Sequence, residues 1–225
     1  ATPRFQLGAD YYAIDIQDRI VFSGNFTGGQ VAELLEPFGV NGARFFTNAI
    51  DTETDGIDLT ASYTFDLKSA GTLGLSAAYN NTETKIVGVV DTPPQLAGLE
   101  EVLFDRVERR RVECAQPKDN SRLTADWRKD RLGGVLRGSR YGEYCNFASR
   151  PDLDQDFSAE WLFDLELSYR FDAFTVSLGA QNLFDNFPDP NTEPNSFNGI
   201  FVYPSHSPFG MNGRFVYGRI SYRFK

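Results

Sequence analysis

One stretch constrains the whole chain: two long alternations joined by almost nothing. From Glu160 to Phe171, the residues Trp161, Phe163, Leu165, Leu167, Tyr169 and Phe171 share one parity. Leu162, Asp164, Glu166, Ser168 and Arg170 hold the other. After Asp172-Ala173 the pattern restarts, with Phe174, Val176, Leu178 and Ala180 set against Thr175, Ser177, Gly179 and Gln181. A strict period of two places apolar and polar side chains on opposite faces of a strand. Two such strands around a tight turn make an antiparallel hairpin. Strands in soluble sandwiches are usually about 5–6 residues long. These are about twice that, close to the roughly 9–11 residues that a tilted strand needs to cross a bilayer. Aromatic side chains gather towards the ends of the apolar face, as in the girdles of membrane barrels.

Composition does not contradict a membrane strand. Hydrophobic residues make up 41% and charged residues 24% of the 225, as expected where half of each strand faces a polar lumen. No apolar run approaches the ~18 residues of a spanning helix. The 20 Phe and 10 Tyr, against one Met and one His, favour β structure. A net charge of −9 argues against nucleic acid as a partner, since phosphate binding needs a basic surface. The chain opens Ala-Thr-Pro-Arg-Phe and enters a strand pattern at once, so it reads as part of a longer polypeptide whose targeting signal lies upstream.

The same alternation predicts further strands over Arg4–Phe22, Ala43–Phe65, Thr72–Val90, Ser121–Lys129, Leu132–Phe147 and Arg214–Phe224. The parity blurs at Ile14–Asp18 and around Gly133, Gly134 and Gly138. Short helical turns are expected at Gln30–Leu35 and within Leu99–Glu113, whose Arg109-Arg110-Arg111 run reads as a solvated face. The connections alternate in length. Long loops follow strands one, three, five and seven, and short turns follow strands two, four and six at Asp66–Gly71, Lys129–Leu132 and Asp172–Ala173. That is the rule of outer-membrane barrels, with long extracellular loops and short periplasmic turns. A Greek-key sandwich gives no reason for it.

Four stretches resemble the C-terminal part of TonB-dependent outer-membrane receptors: Ala9–Ser23, Asn48–Leu59, Leu178–Asp185 and the ending Ser221-Tyr-Arg-Phe224. Gln181-Asn-Leu-Phe-Asp185 before a long loop is the most specific of them. The resemblance implies an all-β, antiparallel up-and-down transmembrane β-barrel segment. It would be about eight strands from the end of a roughly 22-stranded barrel, and 1–225 would be a single partial domain without the N-terminal plug. It implies TonB-dependent uptake of a siderophore-iron complex, cobalamin or an oligosaccharide at the outer membrane of a Gram-negative bacterium. The partners would be outer-membrane lipid, the plug and remaining strands of the same polypeptide, TonB through that plug, and a small-molecule ligand. Lys225 after Phe224 departs from the family's usual aromatic ending. The alternatives are a complete small eight-stranded membrane barrel, adhesin or enzyme, and a soluble carbohydrate-binding β protein.

Several residues invite a role. With the fourth turn centred near Asp130, Cys145 lies opposite position 115 or 116, so Cys114 is within reach and a Cys114–Cys145 disulfide is expected. Exposed aromatics in the last long loop (Asn186–Asn212) make Phe197, Phe201, Tyr203 and Phe209 candidates for ligand contact, with His206 beside them. Asp152, Asp154 and Asp156 alternate, but Phe157 stands where a calcium loop wants Gly, so a solvated acidic loop is expected. Asp58, Asp164, Glu166, Arg170, Arg219 and Arg223 belong to the polar face and should form lateral ion pairs. No catalytic constellation, metal site or cofactor motif is legible, because a single His must serve any triad.

Overall fold

The computed structural model describes residues 4–90, 94 and 97–224. Ala1-Thr2-Pro3, Pro93 at the head of the second long loop, and Lys225 lie outside them. Eight long strands form one antiparallel sheet in sequence order, each paired with its neighbour in the chain. They are β1 (Phe5–Phe22), β2 (Phe46–Asp66), β3 (Thr72–Val89), β4 (Asp119–Lys129), β5 (Leu132–Tyr141), β6 (Glu160–Phe171), β7 (Phe174–Gln181) and β8 (Phe215–Tyr222). This is an up-and-down meander with β1 and β8 at its two edges. It is therefore neither two stacked sheets nor a ring of eight strands closed on itself. Among the described residues no helix is long and apolar enough to cross a membrane.

Register follows parity. Leu7, Ala61, Ala77, Leu123, Gly138 and Phe163 form one row across β1–β6. The apolar parity is the exposed one, with Leu7 at 70%, Leu178 at 68% and Ile220 at 74%. Among the described residues nothing packs over this face, as expected of a wall that meets hydrocarbon. On β2 the apolar set ends at Ile57, and Asp55 and Glu53 take its place, so the strand continues above the apolar band. β1, β2 and β3, of 18, 21 and 18 residues, exceed what a bilayer needs, and their upper parts serve the loops.

The blurred parity of Ile14–Asp18 is a bulge. Register shifts between Ile16 and Arg19, and Asp18 takes φ 52°. Such a bulge shifts the alternation by one residue. The glycines of β5 have a different cause. A Cβ on Gly138 would lie 3.0 Å from Phe163 Cε1, and one on Gly133 would lie 2.6 Å from Ser168 Oγ. β5 ends at Tyr141, short of the expected Phe147, and only the two-residue ladder of Tyr144–Cys145 with Asp156–Phe157 continues it.

The main buried core lies in the loops rather than in the wall. Helix α1 (Gly29–Leu35) falls in the loop after β1, and α2 (Glu100–Leu103) and α3 (Arg106–Glu113) fall in the loop after β3. The single expected helix over Leu99–Glu113 is split at Phe104-Asp105, where Asp105 caps α3 by accepting from the Glu108 N–H at 2.9 Å. Phe26, Ala49, Ile50, Leu103 and Phe104 form a closed apolar cluster beside the tops of β2 and β3.

Candidate functional site

The last long loop, residues 182–214, begins with a knot built by the Gln181–Asp185 segment. Asn182 (φ 48°) breaks β7, and its N–H donates to Asp164 Oδ1 at 3.0 Å. Its side chain closes both ways on Asn186, donating to the carbonyl at 2.7 Å and accepting from the N–H at 2.9 Å. Asn186 Nδ2 in turn donates to Glu160 Oε1 and to the Trp161 carbonyl. Asp185 (φ 63°) accepts from the Arg214 N–H at 2.7 Å, tying the two ends of the loop. Asn and Asp suit these positions because they tolerate left-handed backbone and bond their own neighbours.

Between these ends the loop returns over the lumenal side of the wall. The Phe209 ring lies 5.5 Å from that of Tyr141. Beneath it is a space of about 380 Å³ bordered by Tyr141, Asp164, Gln181, Arg214 and Phe215. A second, of about 840 Å³, runs beside Pro208 along Asp10, Asp58, Asn80, Arg122 and Ser139. The two spaces share Ser139 and Tyr141 and form a vestibule with mixed polar and apolar walls and aromatic rims, able to hold a molecule with hydrogen-bonding edges.

The five candidate residues of this loop do not act as one cluster. Phe197 and Phe201 meet each other at 5.8 Å, and both are exposed, at 68% and 52%. Tyr203 stacks on Phe187 at 5.6 Å. His206 is packed among Tyr144, Phe147 and Phe157. Of the five, only Phe209 lines the vestibule. Tyr141 and Arg214 go unmarked in a loop-based reading, because they belong to a strand and the loop end, and Asp164 is marked there only as a lateral ion-pair residue of the polar face. Parity could have flagged Tyr141, since it shares the lumenal face with Ser139 and Arg137.

The rest of the extracellular rim is bound together. Cys114 and Cys145 form a disulfide with Cα atoms 5.4 Å apart, joining the loop after β3 to the loop after β5. The Arg109–Arg111 run, expected to be solvated, is used instead. Arg110 donates to the Asn146 carbonyl at 2.8 Å and meets Asp154 at 3.3 Å. Arg111 lies 4.5 Å from the Phe147 ring centre, and Arg109 lies 5.3 Å from that of Phe104. Asp154 is also held by Arg106, whose hydrogen bond keeps its carboxyl below the usual range. Asp152 pairs with Arg150 at 3.0 Å. The carboxylates of this acidic loop thus meet guanidinium groups, and among the described residues no group of three or more His, Cys, Asp or Glu side chains is placed to hold a metal ion.

On the wall below, Glu166 accepts from Arg219 at 2.7 Å and from the Tyr217 hydroxyl at 2.8 Å. Asp164 lies 3.8 Å from Arg137. Arg170 donates to the Asp130 carbonyl rather than to a carboxylate.

A single up-and-down sheet with a bare apolar face, a polar lumenal face and long loops at one rim defines the wall of a transmembrane β-barrel. The family described as TonB dependent receptor-like, beta-barrel matches residues 1–183. The chain belongs to this family of TonB-dependent receptor barrels. Among solved structures, the FrpB iron transporter from Neisseria meningitidis (F3-3 variant) superposes with a TM-score of 0.61 at 14% identity, over 100% of this chain and 30% of that one. The copper transporter OprC gives 0.60 at 15% identity, over 100% of this chain and 29% of its own. The ferric-catecholate import receptor Fiu from K12 E. coli gives 0.57 at 14% identity, over 98% and 25%. At these identities the likeness is one of fold, and the chain spans less than a third of each of these structures. No curated protein sequence matches the chain.

Proposed function

We propose that this chain supplies wall and extracellular cap to an outer-membrane receptor that captures a small molecule in the vestibule under the last loop. The observation that carries the reading is the return of that loop onto the lumenal wall, which leaves two aromatic-rimmed spaces of mixed polar and apolar lining beneath Phe209 and Pro208. The fold neighbours bear the names of iron, copper and ferric-catecholate transporters, so a metal ion or its chelate is the favoured cargo class. On this reading the plug, the other strands and TonB act with this chain to release the cargo inward, and no bond in the cargo is made or broken. Bilayer lipid covers the apolar face.

The test is uptake of a panel of radiolabelled ferric chelates and copper by cells carrying the full-length receptor. One panel member should accumulate only when TonB is present. Phe209→Ala and Tyr141→Ala should each weaken its half-saturation by about tenfold, the usual loss when an aromatic contact is truncated. Uptake indifferent to both substitutions would remove the vestibule as the site.

A further inference from the structure

His206 sits where three loops meet, and one residue makes the junction. Cys145 is bonded through sulfur to Cys114, and its N–H donates to the Cys114 carbonyl at 2.9 Å. Its own carbonyl lies 2.9 Å from His206 Nε2. A carbonyl only accepts, so Nε2 carries the proton and neutral His206 holds its other lone pair on Nδ1. The ring lies 4.6 Å from Phe147, 5.7 Å from Tyr144 and 6.1 Å from Phe157. Among the described residues nothing accepts from Nδ1. Three residues further on, Phe209 is the side chain that roofs the vestibule.

We propose that His206 is the positioning residue that latches the last loop onto the disulfide-bonded rim, and that adding a proton to it frees the loop from the vestibule. A second proton would sit on Nδ1, against aromatic rings and without an acceptor. The charged group that faces the imidazole is Arg111 of α3, already 4.5 Å from the same Phe147 ring. From the loop after β5 the facing groups are Tyr144, Phe147 and Phe157. Burial, and after it the carboxylate of Asp189 in the last loop, push the Tyr144 hydroxyl's pKa up, while the Ser207 hydroxyl of the same loop opposes the rise. Aromatic faces attract a cation, but burial and Arg111 oppose one here. Burial, the largest effect, holds the His206 pKa below its ordinary value of 6.5 against the hydrogen bond to the Cys145 carbonyl, which raises it, and Arg111 adds a smaller lowering.

The sign follows. The latched loop binds the proton less readily than the free loop. Latching is therefore at full strength above the free imidazole's pKa of about 6.5, and weakens as pH falls through it.

This deepens the reading of the vestibule as the ligand site, and its test needs no ligand. Hydrogen–deuterium exchange of residues 200–212 is followed in the full-length receptor in detergent, at about pH 7.5 and about pH 5. His206→Gln keeps a donor near Nε2 but cannot titrate. Comparing it with the unmodified receptor at the same pH cancels the chemical dependence of exchange. The expected result is equal protection at the higher pH, and at the lower pH at least about tenfold less in the unmodified receptor than in His206→Gln. Equal protection of the two proteins at both pH values would overturn the latch. Failure of uptake would strike the vestibule reading and leave this result standing.

Discussion

The wall and the cap of this molecule are built by opposite rules from one continuous chain. In the wall, large apolar side chains point away from the protein, and Ile220 and Leu178 are 74% and 68% exposed. In the cap, Ala49 and Ile50 are wholly buried, and Glu108 lies buried between Arg44 at 2.9 Å and Arg111 at 3.2 Å. The wall is held by ladder hydrogen bonds and completed by lipid, because unpaired backbone in hydrocarbon costs several kcal/mol per group. The cap stands in water and excludes it with side chains, a crosslink and paired charges. One region meets two solvents on two faces, and the other meets one solvent and makes a core. A perturbation of either should therefore stay within its own region.

The largest effect that should respect this boundary is loss of the disulfide. Cys114 and Cys145 are 31 residues apart, and a crosslink closing a loop of that size stabilises by about 3–4 kcal/mol in the chain-entropy account. Cys114→Ser with Cys145→Ser should raise amide exchange in the loops after β3, β5 and β7 and leave β4–β8 protected. Mass spectrometry without reductant should find the unmodified pair crosslinked. Loss of protection throughout the wall would mean that cap and wall are one cooperative unit.

The complementary substitution is in the wall. Leu123 lies on the apolar face near the middle of β4. An arginine at the midplane of a barrel's lipid face costs about 2–4 kcal/mol. Leu123→Arg should impair folding into lipid vesicles and lower the melting point of the barrel. Thr124→Arg, one residue on and facing the lumen, should change melting by less than about 1 kcal/mol. Equal effects at the two positions would mean that the two faces do not meet different media.

The two regions also differ in how far the sequence reveals them. The wall is local. A period of two places each side chain, so Trp161–Phe171 against Leu162–Arg170 already gives both faces, and the length of each connection gives the rim. Of its irregular places, the bulge at Asp18 has a local cause, whereas the glycines of β5 answer side chains of the neighbouring strand, Phe163 and Ser168. The cap is not local. Arg109, Arg110 and Arg111 look like a solvated run because their partners Phe104, Asn146, Asp154 and Phe147 lie on other turns or in other loops. The aromatics of the last loop look equivalent in sequence. Only the fold distributes them between an exposed pair at Phe197 and Phe201, a packed Tyr203 and His206, and Phe209 at the vestibule. The same holds for Tyr141, which gains its place at the vestibule only when Phe209, 68 residues later, returns onto it.

The finest comparison is between two ion pairs of similar geometry. Glu108 meets Arg44 at 2.9 Å in the cap, and Glu166 meets Arg219 at 2.7 Å on the lumenal wall. The Glu108 side chain is 4% exposed, whereas Arg219 is 58% exposed and Glu166 22%. Removing one partner of a buried pair leaves a desolvated charge behind, at about 3–5 kcal/mol when both are sealed. Arg44 is 34% exposed and Arg111 49%, so Glu108→Gln should cost about 2 kcal/mol, read as faster exchange in α3 and its neighbours. Water screens the lumenal pair, and an exposed pair contributes about 0.2–1 kcal/mol. Glu166→Gln keeps an acceptor for the Tyr217 hydroxyl and should shift barrel melting by no more than that. If Glu166→Gln proved the more damaging of the two, the lumenal face would be drier than an open wall allows. The charges along it would then be packed against protein, which is the contact expected of a plug.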